Sequence, residues 1–200
     1  SIVGMSGSRE KRFADVTGAA TLGVVLLPCM ALVACAVKLN SEGPVLYRQR
    51  RLTEGGREFM LVKFRTMKHN AERESGAIVA QLNDARVTGL GKILRKTRLD
   101  ELPQLWNVLR GDMSLIGPRP ERPELAKNFE KKFKGFNRRL RVKAGLTGLA
   151  QVVQGYPEYL DGYRRKLALD VLYIKRQSLL LDLWIALKTV GVILSGSGAR

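Results

Sequence analysis

The chain has little with which to bind a soft metal or cross-link itself. Its 200 residues include two cysteines and one histidine. Cys29 and Cys35 form no CxxC pair, and His69 stands alone. A zinc site and a structural disulfide are therefore not expected, and a reducing compartment fits. Both cysteines lie in an apolar run and read as small apolar filler. Nucleotide fingerprints are lacking too. Gly145 to Gly155, GLTGLAQVVQG, has neither GxGxxG nor Walker A spacing, which leaves a structural turn or a close backbone approach to a nucleotide. Acid is scarce: 18 Asp and Glu stand against 35 Lys and Arg, a net charge of +17. That surplus predicts a polyanionic partner, whether nucleic acid, an anionic membrane surface or a phosphorylated substrate.

What is present suffices for one domain with a core, since 45% of the residues are hydrophobic. Val16 to Val37 is a stretch of 22 residues without a charge. As a helix it covers about 33 Å at ~1.5 Å per residue, so by length alone it reads as a transmembrane span. Two features favour a re-entrant helical hairpin instead. Pro28 sits near the middle, where it removes a backbone hydrogen bond and kinks a helix. Arg9, Lys11 and Arg12 precede the run, and Lys38, Arg48, Arg50 and Arg51 follow it. Basic residues belong on the cytoplasmic side, and a helix that bends at Pro28 satisfies both flanks.

Val45 to Tyr47 and Phe59 to Val62 are strand-like, with Gly55-Gly56 between them as a turn. Lys63 and Arg65 are two apart, so on a strand they share a face that suits phosphate or solvent equally. Asn70 to Val87 is polar and reads as a loop or weak helix. Leu90 to Lys96 reads as a short helix.

Arg95 to Pro120, RKTRLDELPQLWNVLRGDMSLIGPRP, is the most informative stretch. Asp100 is placed to cap a helix, with Glu101 in its first turn and Pro103 near its start. Leu102, Leu105, Trp106 and Leu109 would form its apolar face, and Gly111 would end it. Capping and dipole complementation would explain both carboxylates without catalysis. A helix start is also a place for phosphate. Pro118 and Pro120 fix the backbone on either side of Arg119 and lower the entropy cost of aiming it. Carboxylates beside arginines suit phosphate chemistry.

Lys131 to Lys143 holds seven Lys and Arg and no acid, with Phe133 and Phe136 interleaved. It reads as an amphipathic helix on anionic lipid or as a nucleic-acid face. Leu179 to Leu194 covers about 24 Å as a helix at ~1.5 Å per residue, short for a span, and carries Asp182 and Lys188. It is expected to dock on the domain or lie in the interface. Asp170, Tyr173 and Ser178 precede it in an apolar context.

These motifs together resemble the bacterial sugar transferase family, the monotopic polyprenyl-phosphate phosphoglycosyl transferases of exopolysaccharide type. The resemblance runs from about Lys11 to Leu194 through KRFADV, the proline-broken segment, SEGPVLYRQ, KFRTM, LRKTRLDELPQLWNVLRGDMSLIGPRP, GLTGLAQV and LDVLYIKRQSLLLDL. It implies an α+β fold, mostly helical with a small β-hairpin. Membrane association would come from a re-entrant N-terminal helix bent at Pro28 and from interfacial amphipathic helices. The expected organisation is a re-entrant helix over 11–39, a catalytic domain over 40–194 and a tail over 195–200. The implied reaction moves a sugar 1-phosphate from a UDP-sugar to undecaprenyl phosphate, through a covalent aspartyl-phosphosugar intermediate. It would take place at the cytoplasmic face of the bacterial inner membrane.

On this resemblance Asp100 matches the nucleophile and a Mg2+-liganding position, and Glu101 matches its partner. Arg95 and Arg119 match arginines near the phosphate site, with Lys63 and Arg65 as further candidates. Anionic lipids are expected partners, nucleic acid is not, and a homo-oligomer is left open. Two positions depart from the pattern. Ala144 stands where many members have proline, and Val153-Gln154-Gly155-Tyr156 stands where small members have Asn-Gly-Arg. No nucleotide pocket is assigned there. PRPERPE, Pro118 to Glu124, leans towards glucose or galactose. A non-catalytic, basic, membrane-anchored lipid- or nucleic-acid-binding module is the alternative, and it predicts no effect of Asp100→Asn.

Overall fold

The computed structural model describes residues 9–68, 71, 84–154 and 160–195. His69, most of the polar stretch 70–87, Gly155, Tyr156 and all but the first residue of the expected tail lie outside them. The first helix, α1, runs from Arg9 to Asn40. It is one continuous helix with Pro28 inside it, so the expected bend leaves no break between two helices. It is also the one helix among the described residues long and apolar enough to cross a membrane.

Both ends of α1 dock on the rest of the chain. Near its start Lys11 donates to Asp182 at 2.6 Å. Arg12 donates to the carbonyls of Val108 and Leu109 at 2.6 and 2.7 Å. Asp15 accepts from the Ser114 hydroxyl and the Leu115 N–H, both at 2.9 Å. Near its end Val33 and Val37 pack with Phe64 and Leu94. Between these ends Leu22, Val24, Val25, Leu27 and Leu32 stay exposed. The basic residues Lys11 and Arg12, expected to face the cytoplasm, are thus tethers to the domain.

Strands β1 (Leu46–Leu52) and β2 (Glu58–Phe64) form the expected antiparallel hairpin, longer than the apolar cores alone suggest. Phe59 and Leu61 turn inward while Met60 faces out, the alternation of a half-buried strand, and Phe64, on the other face, packs with Val33, Val37 and Leu94. Gly55 and Gly56 take positive φ at the turn, 68° and 76°. The turn is bound to the core through Thr53, whose hydroxyl donates to the Asp112 carbonyl at 2.8 Å. Asn107 completes the inner side of the hairpin. Its amide donates to the Met60 carbonyl at 2.8 Å and accepts from the Val62 N–H at 3.0 Å, as a neighbouring strand would.

Helix α2 (Gly89–Thr97) starts at Thr88, whose hydroxyl accepts from the Gly91 N–H. It stops at Arg98, which takes the left-handed conformation with φ 61°. A 3₁₀ turn, Leu99–Glu101, leads to α3 (Gln104–Arg110), which Gly111 ends at φ 87°. Leu105 and Val108 enter the core, but Trp106, expected on the apolar face, is exposed. Two strands not foreseen, β3 (Met113–Ile116) and β4 (Ala144–Thr147), pair in parallel.

Between them lies the basic run, and it is not one amphipathic helix. Helix α4 (Pro123–Lys132) ends first, Gly135 turns the chain at φ 86°, and a 3₁₀ segment occupies Phe136–Arg141. Phe133 and Phe136 are core, packed with Ala126, Phe129, Tyr163 and Leu167, because a buried cluster gains more from their rings than a surface does. After α5 (Leu149–Val153) come α6 (Leu160–Arg176) and α7 (Leu179–Ser195). In α6 the buried Tyr173 donates to Asp182 at 2.8 Å, and Ser178 caps α7 by accepting from the Leu181 N–H. The face of α7 towards the domain is led by Ile185, fully buried. Its other face exposes Leu180, Leu183, Leu187, Val190 and Leu194, at spacings of three and four residues. α2 packs against both α1 and α7 and exposes Ile93 beside them.

Candidate active site

The left-handed Arg98 reverses the chain immediately after α2, and the 3₁₀ turn then presents Asp100 and Glu101. Arg98 is the one non-glycine residue with positive φ among the described residues. Such a conformation persists where surrounding contacts over-determine it. Asp100 therefore does not cap a helix: the residue ahead of α3 is Pro103, with no side-chain cap bond. It is instead a carboxylate only 5% exposed, which an N-cap role does not require.

The two carboxylates are treated differently by their surroundings. Arg119 grips Glu101 with both terminal nitrogens, at 2.5 and 3.4 Å, and Arg98 approaches it at 4.0 Å. Burial pushes Glu101 up, but Arg119, followed by Arg98 and Lys63, outweighs it and holds Glu101 below the usual carboxylate range. Asp100 goes the other way. Burial, then the neighbouring Glu101 charge, raises it to about 6, against the pull of Lys63, Arg119 and Arg95. Two adjacent carboxylates are thus separated in acidity, one a fixed anion and the other poised near neutrality.

Around them the fold brings together most of the expected cations. Lys63 stands 5.5 Å from the ring centre of Tyr47, its pairing partner across the hairpin. Burial lowers it to about 8, with Asp100 opposing and Arg51 and Arg95 adding to the shift. Arg95, on α2, donates its Nε to the Thr66 hydroxyl at 2.9 Å. Arg65 is turned elsewhere. Its guanidinium donates to the carbonyls of Val37, Ser41 and Glu42, closing the C-terminal end of α1. The cations that act most on Asp100 are Lys63, Arg119 and Arg95.

Arg51 was not singled out from sequence, yet it joins the group. It donates to the Pro120 carbonyl at 3.0 Å and to Gln49 at 2.5 Å, and its charge acts on Lys63. The signal available was its place in the RQRR run, which gives no hint of burial. Behind the site the glycines of GPRP and GLTG lie backbone to backbone. A Cβ on Gly145 would stand 2.1 Å from the Gly117 nitrogen, and one on Gly148 2.1 Å from the Gly117 carbonyl oxygen. The GLTG motif is therefore a packing surface for the Arg119 loop.

Chemically, the arrangement sets a buried carboxylate in the field of three cations, Lys63, Arg119 and Arg95, which suits a substrate with two phosphates. Among the described residues no three His, Cys, Asp or Glu side chains cluster as a metal cage. The donor set still fits a hard, oxygen-seeking ion completed by substrate phosphates, because Mg2+ commonly uses one or two carboxylates.

A family model described as "Bacterial sugar transferase" matches residues 7–196. The chain is 46% identical over 190 residues to the UDP-N-acetylgalactosamine-undecaprenyl-phosphate N-acetylgalactosaminephosphotransferase of Aeromonas hydrophila, covering 95% of this chain and 45% of that one. It is 44% identical over 192 residues to the UDP-glucose:undecaprenyl-phosphate glucose-1-phosphate transferase of Caulobacter vibrioides, covering 95% of this chain and 72% of that one. A putative undecaprenyl-phosphate N-acetylgalactosaminyl 1-phosphate transferase of Bacillus subtilis is 48% identical over 130 residues, 65% of this chain and 72% of that one. The chain thus spans just under half of the first relative and somewhat over two thirds of the second. With the family model matching nearly its whole length, the chain belongs to the bacterial sugar transferase family.

Proposed function

We propose that the chain transfers a sugar 1-phosphate from a UDP-sugar to undecaprenyl phosphate, giving UMP and undecaprenyl-diphosphate sugar. The observation that carries this reading is the buried Asp100 in the field of Lys63, Arg119 and Arg95, beside a Glu101 that Arg119 grips. In the first step an Asp100 oxygen forms a bond to the β-phosphorus, and UMP leaves with the electron pair of the bond that breaks. In the second step an oxygen of undecaprenyl phosphate attacks the same phosphorus and the Asp100 carboxylate leaves. Two displacements replace one direct transfer between anions. Lys63, Arg95 and Arg119 stabilise the charge that builds on the phosphoryl oxygens. Glu101, held ionised by Arg119, keeps that arginine in place and leaves Asp100 as the attacking group. Mg2+, held by Asp100 and the substrate diphosphate, would supply further charge neutralisation.

The lipid acceptor is met at a membrane. A folded, polar domain does not straddle a bilayer, and both ends of α1 dock on that domain while its middle stays exposed and apolar. This supports a helix that enters one leaflet and returns, at the cytoplasmic face of the bacterial inner membrane. The outward leucine stripe of α7 and the neighbouring Ile93 on α2 support an interfacial contact beside it, with basic residues available to anionic headgroups. A non-catalytic basic module would give the buried acidic pair no task.

Relatives are named for glucose, N-acetylgalactosamine and galactose, so the donor panel includes UDP-glucose, UDP-galactose and UDP-N-acetylgalactosamine. In the presence of Mg2+ and undecaprenyl phosphate, UMP release is expected from at least one donor and is abolished in Asp100→Asn. Full activity in Asp100→Asn would remove the proposed nucleophile.

A further inference from the structure

Behind the Arg119 loop lies a buried charged cluster that the proposed chemistry does not use. Arg139 is 3% exposed and sits 5.0 Å from the Phe136 ring centre. One of its terminal nitrogens donates to the Arg119 carbonyl at 2.6 Å and lies 2.9 Å from Asp170. The other donates to Glu121 at 3.2 Å. Lys166 donates to the same Glu121 oxygen. Glu121, Lys166, Arg139 and Asp170 thus form two acids and two bases closed on each other.

The loop backbone is held with unusual completeness. The Pro118 carbonyl accepts from the Gly145 N–H at 2.9 Å, and the Arg119 carbonyl from Arg139. The Pro120 carbonyl accepts from Arg51, and the Glu121 carbonyl from the Leu52 N–H at 2.9 Å. Four successive carbonyls are therefore fixed by four donors, two from the end of β1 and two from Arg139 and Gly145. Two of the four residues are prolines, which also fix φ. The side chain so aimed is the one that grips Glu101.

We infer that Glu121, Lys166, Arg139 and Asp170 are positioning residues for Arg119, setting the backbone from which it reaches Glu101 and the substrate phosphate. Buried ion clusters are poor sources of stability compared with apolar packing of similar volume. Geometry is what this one supplies: Glu121 draws Lys166 and Arg139 together, and Arg139 in turn holds the Arg119 carbonyl. Burial pushes Glu121 up, but Lys166 and then Arg139 hold it at about 2, so it keeps its charge at any working pH.

This inference rests on the proposed transfer, and its test is a double-variant cycle. Lys166→Met is expected to lower kcat/KM for the UDP-sugar at least tenfold, mostly through KM, and Lys166→Arg to recover most of the loss. On an Arg119→Ala background the same Lys166→Met change is expected to alter the residual rate less than twofold. Equal losses on both backgrounds, or none on either, would overturn the inference. Should Lys166→Met not fold, Glu121→Gln enters the cycle in its place. If the wild-type chain releases no UMP from any donor, the transferase reading falls, and amide exchange decides the inference separately. Leu52 and Gly145, whose N–H groups are bonded to the loop, are then expected to exchange at least tenfold faster in the variant, with Leu61 unchanged. Unaltered exchange at Leu52 and Gly145 would sink it.

Discussion

At the residue scale, Asp100 is ionised against its surroundings. Its folded acidity of about 6 lies above the ordinary 3.8, so the folded chain binds this proton more tightly than the unfolded one. Burying the group costs nothing below about pH 4, and the cost grows as pH rises to about 6 and is complete above it. A gap of that size corresponds to on the order of 3 kcal/mol. In metal-free buffer at pH 8, Asp100→Asn is therefore expected to melt above the wild type, with the difference closing towards pH 4. A wild type that melts higher throughout that range would contradict the assignment. The same ionisation sets the acid limb of catalysis. UMP release is expected to fall about tenfold per pH unit below about pH 6, which a rate profile from pH 4.5 to 8 reads directly.

Much at this scale was written in the sequence as residue types but not as partners. Asp100, Glu101, Arg95 and Arg119 were legible as candidates because acids and arginines share one short stretch, whereas Lys63 was offered only by its strand spacing from Arg65. Arg65 shows the limit: the period of a strand put it beside Lys63, but a carbonyl cluster at the end of α1 claims it. Arg51, Asn107 and Arg139 were not legible, since each acts on a segment distant in the chain. Only the fold decides that a guanidinium among seven basic residues is the one buried.

At the scale of elements, two contacts invite direct tests. Gly145 touches Gly117 so closely that Gly145→Ala must push the Arg119 loop away from β4. UMP release is expected to fall more than a hundredfold, with a melting temperature lowered by several degrees, since such overpacking costs about 1–3 kcal/mol. Activity within twofold of wild type would show that the loop is not seated by this contact. On α7, Leu180 and Leu187 are 80% and 66% exposed. Leu180→Asp with Leu187→Asp is expected to weaken flotation with anionic vesicles at least tenfold and to leave the melting temperature unchanged, because neither side chain is in the core. Retained flotation would place the membrane contact elsewhere. The hairpin, α2, α7 and the Gly111 end of α3 were readable because apolar spacing and turn residues agreed there, whereas the start of α3 was misplaced at Asp100. The basic run was misread because Gly135 divides it, and its phenylalanines serve an aromatic core drawn from α4 and α6.

At the scale of the whole molecule, the proposed re-entrant arrangement of α1, whose two ends both dock on the domain, requires those ends to lie on one side of a membrane. With Cys29 and Cys35 first replaced, a cysteine at Glu10 and another at Leu39, both exposed, are expected to react with an impermeant maleimide from the same side of inverted vesicles. Lys11 is unsuitable because Asp182 buries it. Reaction from opposite sides would establish a straight span and end the re-entrant reading.

The Lys11–Asp182 pair joins residues 171 positions apart. Synthesis proceeds from the N-terminus, at about 5–20 residues per second. The partner of Lys11 therefore does not exist until roughly ten to thirty seconds after Lys11 itself has been made. Through that interval α1 carries a lysine without the carboxylate it will close on, while its apolar middle is already available to lipid. Closure of α1 on α7 thus comes late in synthesis, after the segments that carry Asp100, Glu101 and Arg119 have been made, and α7 acts as the clasp that secures the start of α1.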